Sequence, residues 1–327
     1  MTLTQLPAQA PDVSWPTQAW PEGDLPKGLD RTRFDALMDK GFADFGETHA
    51  VVVVQGGRLI FERYGPDHGP DKTCLSWSKA KSITQALAGL IVGDGKLDIF
   101  APADVPEWKT PGDPRGAITL DLLLRMSSGL EFSEVYLPDQ PSDTIAMLWG
   151  EGKDDAAHYA ADKPLAHPPG SFFSYSSGTT NIVARTLSRA LGAYGPDFEA
   201  YMRTRLFEPL GMTSPIPKFD KAGTFLGSSF CFTPPVTSPA SACSICATGS
   251  GRTAACCRRV GSTTREPPPS NKPTAQMTPT ALTGGWASAG RAVSRPMAMR
   301  ASTRSAFPTS TWSSSATAKP PPSAATT

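Results

Sequence analysis

Two hydrophobic periods run along the first 232 residues, and the remainder of the chain has neither. Ala50 to Gln55 is almost continuous valine, Gly56-Gly57 interrupts it, and Arg58 to Tyr64 resumes with Leu59, Ile60 and Phe61. That pattern predicts a β-hairpin with a glycine turn. From about Ser78 to Val92 the period changes. Ile83, Ala86, Leu87, Leu90 and Ile91 recur at i, i+3, i+4, i+7 and i+8, the stripe of an amphipathic helix, and Gly93 and Gly95 stop it. Shorter helical patterns cover Phe34 to Phe45, Thr119 to Met126 (stopped by Gly129), Thr180 to Leu191 (ended by Gly192) and Phe198 to Leu206. Pro168-Pro169-Gly170 predicts a turn. The chain after the hairpin is therefore mainly helical, without internal repeats.

Charge divides the chain at the same place as the hydrophobic pattern. The formal total is +1 over 327 residues, but it is a cancellation. Residues 1–232 hold 21 Lys+Arg and 29 Asp+Glu, net −8; residues 233–327 hold 10 Lys+Arg and one acid, Glu266, net +9. In the second stretch Ser, Thr, Ala, Pro and Gly supply 67 of 95 residues, and Leu, Ile, Val and Phe only six. Such a composition cannot offset the entropy of ordering a core, so this tail is expected to be disordered. The expected organisation is a Pro-rich arm over 1–29, a helix and hairpin over 30–75, a mostly helical catalytic region over 76–232 and the low-complexity tail over 233–327.

Several classes fall away. No apolar run reaches the roughly 18 residues of a membrane span. The N-terminus lacks a basic start and an apolar core, so no signal peptide is read and a cytoplasmic location is expected. Cys74 and Cys231 alone do not make a disulfide framework. His49, His68, His158 and His167 are scattered, with no H-E-x-x-H spacing. Cys243-Ser-Ile-Cys246 and Cys256-Cys257 lack a second C-x-x-C, so zinc is not expected. The tail's arginines are dispersed and no aromatics interleave them, so neither nucleic-acid nor membrane binding is expected. No G-x-S-x-G occurs.

The chemistry-bearing segment is Leu75-Ser76-Trp77-Ser78-Lys79-Ala80-Lys81-Ser82. It contains S-x-x-K twice, as Ser76 with Lys79 and as Ser78 with Lys81. Residues i and i+3 share a helix face, so the amine reaches the hydroxyl. A serine at neutral pH needs a base, and a desolvated lysine with a lowered pKa can be that base. A helix N-terminus adds positive potential where an oxyanion forms. Either motif could also be a solvated basic helix start.

Downstream stand Gly93-x-Gly95-Lys96-Leu97, Leu123-Leu124-Arg125-Met126-Ser127-Ser128-Gly129-Leu130 and Pro169-Gly170-Ser171-Phe172-Phe173-Ser174-Tyr175-Ser176-Ser177-Gly178. In this order, after a hairpin, they resemble the serine β-lactamase and penicillin-binding-protein superfamily over about residues 30–232, and most closely its class C β-lactamase-related serine hydrolases. The resemblance implies an α+β fold of the β-lactamase/transpeptidase-like type: an antiparallel sheet with flanking helices plus a mostly helical domain. It implies a metal-independent serine hydrolase that needs no cofactor and acts on a small-molecule ester, amide or β-lactam. Ser78 would be the acyl-enzyme nucleophile, with its backbone N–H as half of the oxyanion hole. Lys81 would activate it, and Tyr175 would be the general base and acid paired with Lys81. Ser177 falls where the family's Tyr-x-Asn pattern has Asn, a substrate-binding position. Ser127-Ser128 reads as a helix C-terminal turn. A non-catalytic ligand-binding protein of the same fold and an inactive pseudogene product are the alternatives.

The superfamily closes its sheet with C-terminal strands, one of them carrying a Lys-Thr-Gly motif or a variant. Nothing in residues 233–327 resembles these. Recoding the tail with each codon built from the last base of one residue and the first two of the next permits structured segments. Pro235 through Ser250 then permits Arg-Asp-Phe-Ala-Arg-Phe-Gly-Leu-Leu-Tyr-Leu-Arg-Asp-Gly, an amphipathic helix, and Thr311 through Pro320 permits Leu-Val-Val-Val-Arg-His-Gly-Lys-Thr, a strand and a loop. The expectation is a one-nucleotide loss between the codons of Phe232 and Val236, which removes the closing strands and impairs the chain as written. Resequencing the gene across these codons should find the missing base; an intact, independently confirmed frame overturns the reading.

Overall fold

The computed structural model describes residues 19–137 and 139–234. Most of the Pro-rich arm lies outside the described residues, as does nearly all of the 233–327 tail, in which the frame break is expected, with Cys243, Cys246, Cys256 and Cys257.

Helix α1, Arg31–Ala43, starts on Asp30, whose carboxylate accepts the Arg33 N–H at 2.9 Å. Strands β1 (Ala50–Gln55) and β2 (Arg58–Tyr64) then form the predicted hairpin at the predicted boundaries. They pair antiparallel, Ala50 opposite Tyr64 and Gln55 opposite Arg58, with an irregularity between Val53 and Val54. Helix α1 lies against this hairpin. Phe34 meets Phe61 edge-on at 4.9 Å, and Arg63 binds Asp39 at 2.6 Å while stacking over Phe42 at 4.6 Å. Yet no residue of α1, β1 or β2 is fully buried. Among the described residues the hairpin has one further pairing, an isolated parallel bridge between Glu22 and Leu59. Among the described residues no full strand flanks the hairpin, so most of its edge groups are left unpaired by a sheet.

The core is helical. It is built from α2 (Ala80–Gly93), α3 (Leu120–Leu124), α4 (Asp143–Trp149), α5 (Ala156–Ala161), α6 (Ser177–Leu191) and α7 (Pro196–Met202). Helix α6 is its axis and touches α2, α3, α4 and α5. Leu87, Ile91, Leu123, Met147, Ile182, Leu187 and Phe198 are all buried between these elements. Helix α5 offers only small side chains inward (Ala156, Ala157, Ala160 and Ala161), which lets it approach α6 closely. Gly178 is needed at that approach: a Cβ there would lie 2.4 Å from the Phe132 ring and 2.9 Å from the Ala160 Cβ.

The sequence pattern locates α1, α2, α3, α6 and α7 to within a turn, and misses α4 and α5. Those two helices have seven and six residues, too few to display a 3.6-residue period. The turn expected to begin the long helix at Ser78 is instead a separate 3₁₀ turn, Trp77–Lys79, with α2 starting at Ala80. Past α7 the chain continues as a π-helical turn, Arg203–Phe207, and then β3 (Ile216–Pro217) pairs antiparallel with β4 (Cys231–Phe232). Thr233 follows β4 and exchanges two backbone hydrogen bonds with Cys74, at 2.8 and 3.0 Å. The end of the described chain is thereby pinned to the segment that leads into Ser78. No helix among the described residues is long and apolar enough to cross a membrane.

One buried ion pair joins the axis to its surroundings. Arg185 of α6 binds Glu107 through both guanidinium arms, at 2.9 and 2.6 Å, with the two side chains only 10% and 12% exposed. Removing one partner strands a buried charge. Glu107→Ala should lower stability by about 3 kcal/mol in urea unfolding. Lys221→Ala, at an exposed pair with Asp154, should cost less than about 1 kcal/mol. Equal losses from the two variants would show that burial does not set the cost.

Candidate active site

The two S-x-x-K pairs meet different fates. Ser76 is buried, and its hydroxyl accepts the Cys231 N–H at 3.0 Å while lying 3.1 Å from the Ser229 carbonyl to which it donates. That hydroxyl is therefore spent in joining the 3₁₀ turn to β4. Ser78 is exposed, and Lys81 Nζ donates to its Oγ at 3.1 Å. The 3₁₀ turn lifts Ser78 to the surface while Lys81, on the first turn of α2, stays beneath it.

Lys81 has two further acceptors. Its Nζ lies 3.0 Å from the Ser177 Oγ on the first turn of α6, and 3.0 Å from the Ser228 carbonyl in the loop before β4. Burial pushes the ammonium down from its usual value to about 8, and the nearby Glu134 carboxylate pulls it partly back. The ring of Tyr175 lies 4.9 Å from Nζ. The Tyr175 phenol is raised by burial and by Glu134, against a hydrogen bond with Ser78 that lowers it. Ser78, Lys81 and Tyr175 thus come together from two segments of the chain far apart in sequence.

Sequence reasoning missed Glu134. Its carboxylate accepts the Ser177 backbone N–H at 2.6 Å and the Ser177 hydroxyl at 2.9 Å, and the Tyr136 hydroxyl donates to it at 2.9 Å. A carboxylate at the N-terminus of a 15-residue helix is favourably placed against the helix dipole. It sits in an irregular segment, where no periodicity marks a residue as pointing to a site. Ser177 itself is 2% exposed, and its hydroxyl stands between Lys81 and Glu134. Ser128 bonds within the core, its Oγ 3.4 Å from that of Thr179.

Three aromatic rings cluster at Trp77, the residue before the exposed serine. Trp77 and Trp149 are 6.0 Å apart, Trp149 and Phe230 5.6 Å, and Trp77 and Phe230 6.3 Å, centroid to centroid. Both tryptophans are about half exposed. Trp77 holds a left-handed backbone, φ +46°, immediately before Ser78. An aromatic residue in that region carries about 1 kcal/mol of strain or more. The surface next to Trp77 is therefore an aromatic platform.

Antiparallel strands, a helical core and a serine–lysine pair at the start of the first core helix are features of the serine β-lactamase/transpeptidase-like fold. The chain belongs to the beta-lactamase family, whose model matches residues 34–221. It is similar to the structure of a candidate 6-aminohexanoate-dimer hydrolase from Bacillus anthracis, with TM-score 0.54 and 21% identity over 67% of this chain and 60% of that one. It also matches a D-alanine carboxypeptidase AmpC from Burkholderia cenocepacia (TM-score 0.46, 19% identity, 64% and 62% covered) and a D-amino acid amidase from Ochrobactrum anthropi SV3 (TM-score 0.37, 17% identity, 51% and 49% covered). The chain covers less than two thirds of each of these proteins. No curated protein sequence matches it.

The lysine's setting gives a titration to measure. Glu134 holds the Lys81 proton on, so its removal should release that proton at lower pH. In Glu134→Gln the Lys81 titration should move below about 8, followed by NMR of isotopically methylated lysines. An unchanged or raised titration would remove Glu134 as a partner of the ammonium.

Proposed function

We propose that the chain is a metal-independent serine hydrolase that forms an acyl-enzyme on Ser78. The observation that supports this reading is the contact between an exposed Ser78 hydroxyl and a desolvated lysine whose amine loses its proton near pH 8. In its neutral form Lys81 Nζ takes the Ser78 proton as Oγ bonds to the substrate carbonyl carbon. The carbonyl electrons move onto oxygen, which the Ser78 backbone N–H would stabilise as one half of the oxyanion hole. As the tetrahedral species collapses, the bond to the leaving oxygen or nitrogen breaks, and that atom takes its proton from Lys81 through the Tyr175 hydroxyl. Water then repeats the sequence on the acyl-enzyme, and Ser78 recovers its proton.

Tyr175 works here as a neutral phenol. Its raised pKa disfavours tyrosinate in the resting enzyme, so the lysine is the base and the tyrosine carries protons between it and the leaving group. Ser177 serves by orienting Lys81, since its hydroxyl is committed to Lys81 and Glu134. The aromatic platform favours a small-molecule ester, amide or lactam with an apolar group next to the reacting carbonyl. Residues 76–232 supply the nucleophile, its lysine and its tyrosine, and residues 30–75 supply the helix and hairpin. The second oxyanion donor and the closing strands would come from the restored reading frame.

In the frame-restored protein a fluorophosphonate should label Ser78, and labelling should disappear in Ser78→Ala but persist in Ser76→Ala. Hydrolysis of p-nitrophenyl esters, a chromogenic cephalosporin and a short amide, compared side by side, gives the leaving-group class. For the best substrate, kcat/KM should rise about tenfold per pH unit below about 8 and level above it. Label retained in Ser78→Ala refutes the assignment, and loss only in Ser76→Ala transfers it to the other serine.

A further inference from the structure

The histidines that are scattered in the sequence do not stay scattered in space. His49 precedes β1 and His68 lies in the loop after β2, and their rings stack at 4.1 Å and 15°. Cys74, in the segment leading to Ser78, joins them: one ligand atom from each of His49, His68 and Cys74 lies within 4.8 Å of the others. Glu47 Oε1 stands 3.6 Å from His49 Nε2. We propose that His49, His68 and Cys74 form a structural zinc(II) site, with the Glu47 carboxylate or a water as fourth ligand.

The donor set suits that ion. Thiolate, imidazole and carboxylate are the zinc ligands, in tetrahedral sites with bonds of about 2.0–2.3 Å. Those lengths place ligand atoms roughly 3.3–3.8 Å apart. Ligation requires the exposed His49 ring to turn out of its stack with His68 so that the two lone pairs converge on one ion. His68 has its tautomer set by a backbone hydrogen bond. Its Nδ1 is 2.8 Å from the Pro66 carbonyl, which can only accept, so Nδ1 carries the proton and Nε2 presents a lone pair.

The backbone around the cluster is built to hold it. The Gly65 N–H donates to the His49 carbonyl at 2.9 Å, and the His68 N–H donates to the Gly65 carbonyl at 3.1 Å. A Cβ at Gly65 would lie 2.4 Å from the Thr48 carbonyl oxygen, so the strand end and the loop meet this closely only with glycine there. Cys74 is fixed from the other side by its two hydrogen bonds with Thr233. The site would fasten the hairpin, which has no buried residue, to the segment that enters the nucleophile turn. Metal binding then supplies folding free energy where apolar burial is thin.

The test uses the full chain with Cys243, Cys246, Cys256 and Cys257 replaced by serine, which leaves Cys74 and the buried Cys231. Cobalt(II) should bind at one equivalent and give a thiolate-to-metal charge-transfer band. His68→Ala and His49→Ala should each weaken binding by at least about tenfold, and Cys74→Ser should abolish the band. In the same background zinc should slow iodoacetamide alkylation of Cys74 and raise the melting temperature by several degrees; both effects should be lost in His68→Ala. Because the alkylation readout keeps Cys74 in place, it holds even where Cys74→Ser disturbs the fold. Binding that survives both histidine variants, or zinc that leaves Cys74 alkylation unchanged, overturns the proposal.

Discussion

Lys81 is an ammonium largely withdrawn from water, and the described structure is arranged to make that tolerable. A buried cation without partners costs several kcal/mol. Lys81 meets three oxygens, at 3.1, 3.0 and 3.0 Å, from Ser78, Ser177 and Ser228. These come from the 3₁₀ turn before α2, the first turn of α6 and the loop before β4. One side chain therefore ties three segments together at a single point. The helical core brings the N-terminal turns of α2 and α6 side by side, and the Asn181 side chain holds the Ser228 N–H at 3.1 Å so that its carbonyl faces the amine.

The neighbouring hydroxyl of Ser76 does related work without chemistry. It sits between the Cys231 N–H and the Ser229 carbonyl, so it joins the Trp77–Lys79 turn to the same loop. Two serines two positions apart thus divide their labour by burial alone. The buried one is consumed in backbone hydrogen bonds, and the exposed one remains open to a substrate. Nothing in the S-x-x-K spacing distinguishes them; only the direction of the 3₁₀ turn does.

What the sequence shows and hides follows the range of the interactions involved. The hairpin is legible to the residue because a valine run, a Gly-Gly turn and a second apolar run are all local. Helices α2 and α6 are legible because 14 and 15 residues display a full period. Glu134 is illegible because its role is set by a helix N-terminus that arrives 43 residues later in the chain. The contact of His49, His68 and Cys74 is illegible for the same reason. Their spacing matches no ligand motif, and only hairpin closure and the Gly65 approach bring them together.

The site's charge state is the last thing the arrangement fixes. Burial opposes every ion, so it pushes Lys81 toward the neutral amine and Tyr175 toward the neutral phenol. Glu134 acts with burial on the tyrosine and against it on the lysine. The tyrosine therefore stays protonated, whereas the lysine, at about 8, remains close enough to neutrality to give up its proton. A base is most useful when its pKa lies near the working pH. Without the carboxylate the lysine would be a weaker base. Without burial it would hold its proton throughout the physiological range. The two effects differ in sign on Lys81 and agree on Tyr175, an asymmetry that favours the proposed division in which the lysine is the base and the phenol relays protons.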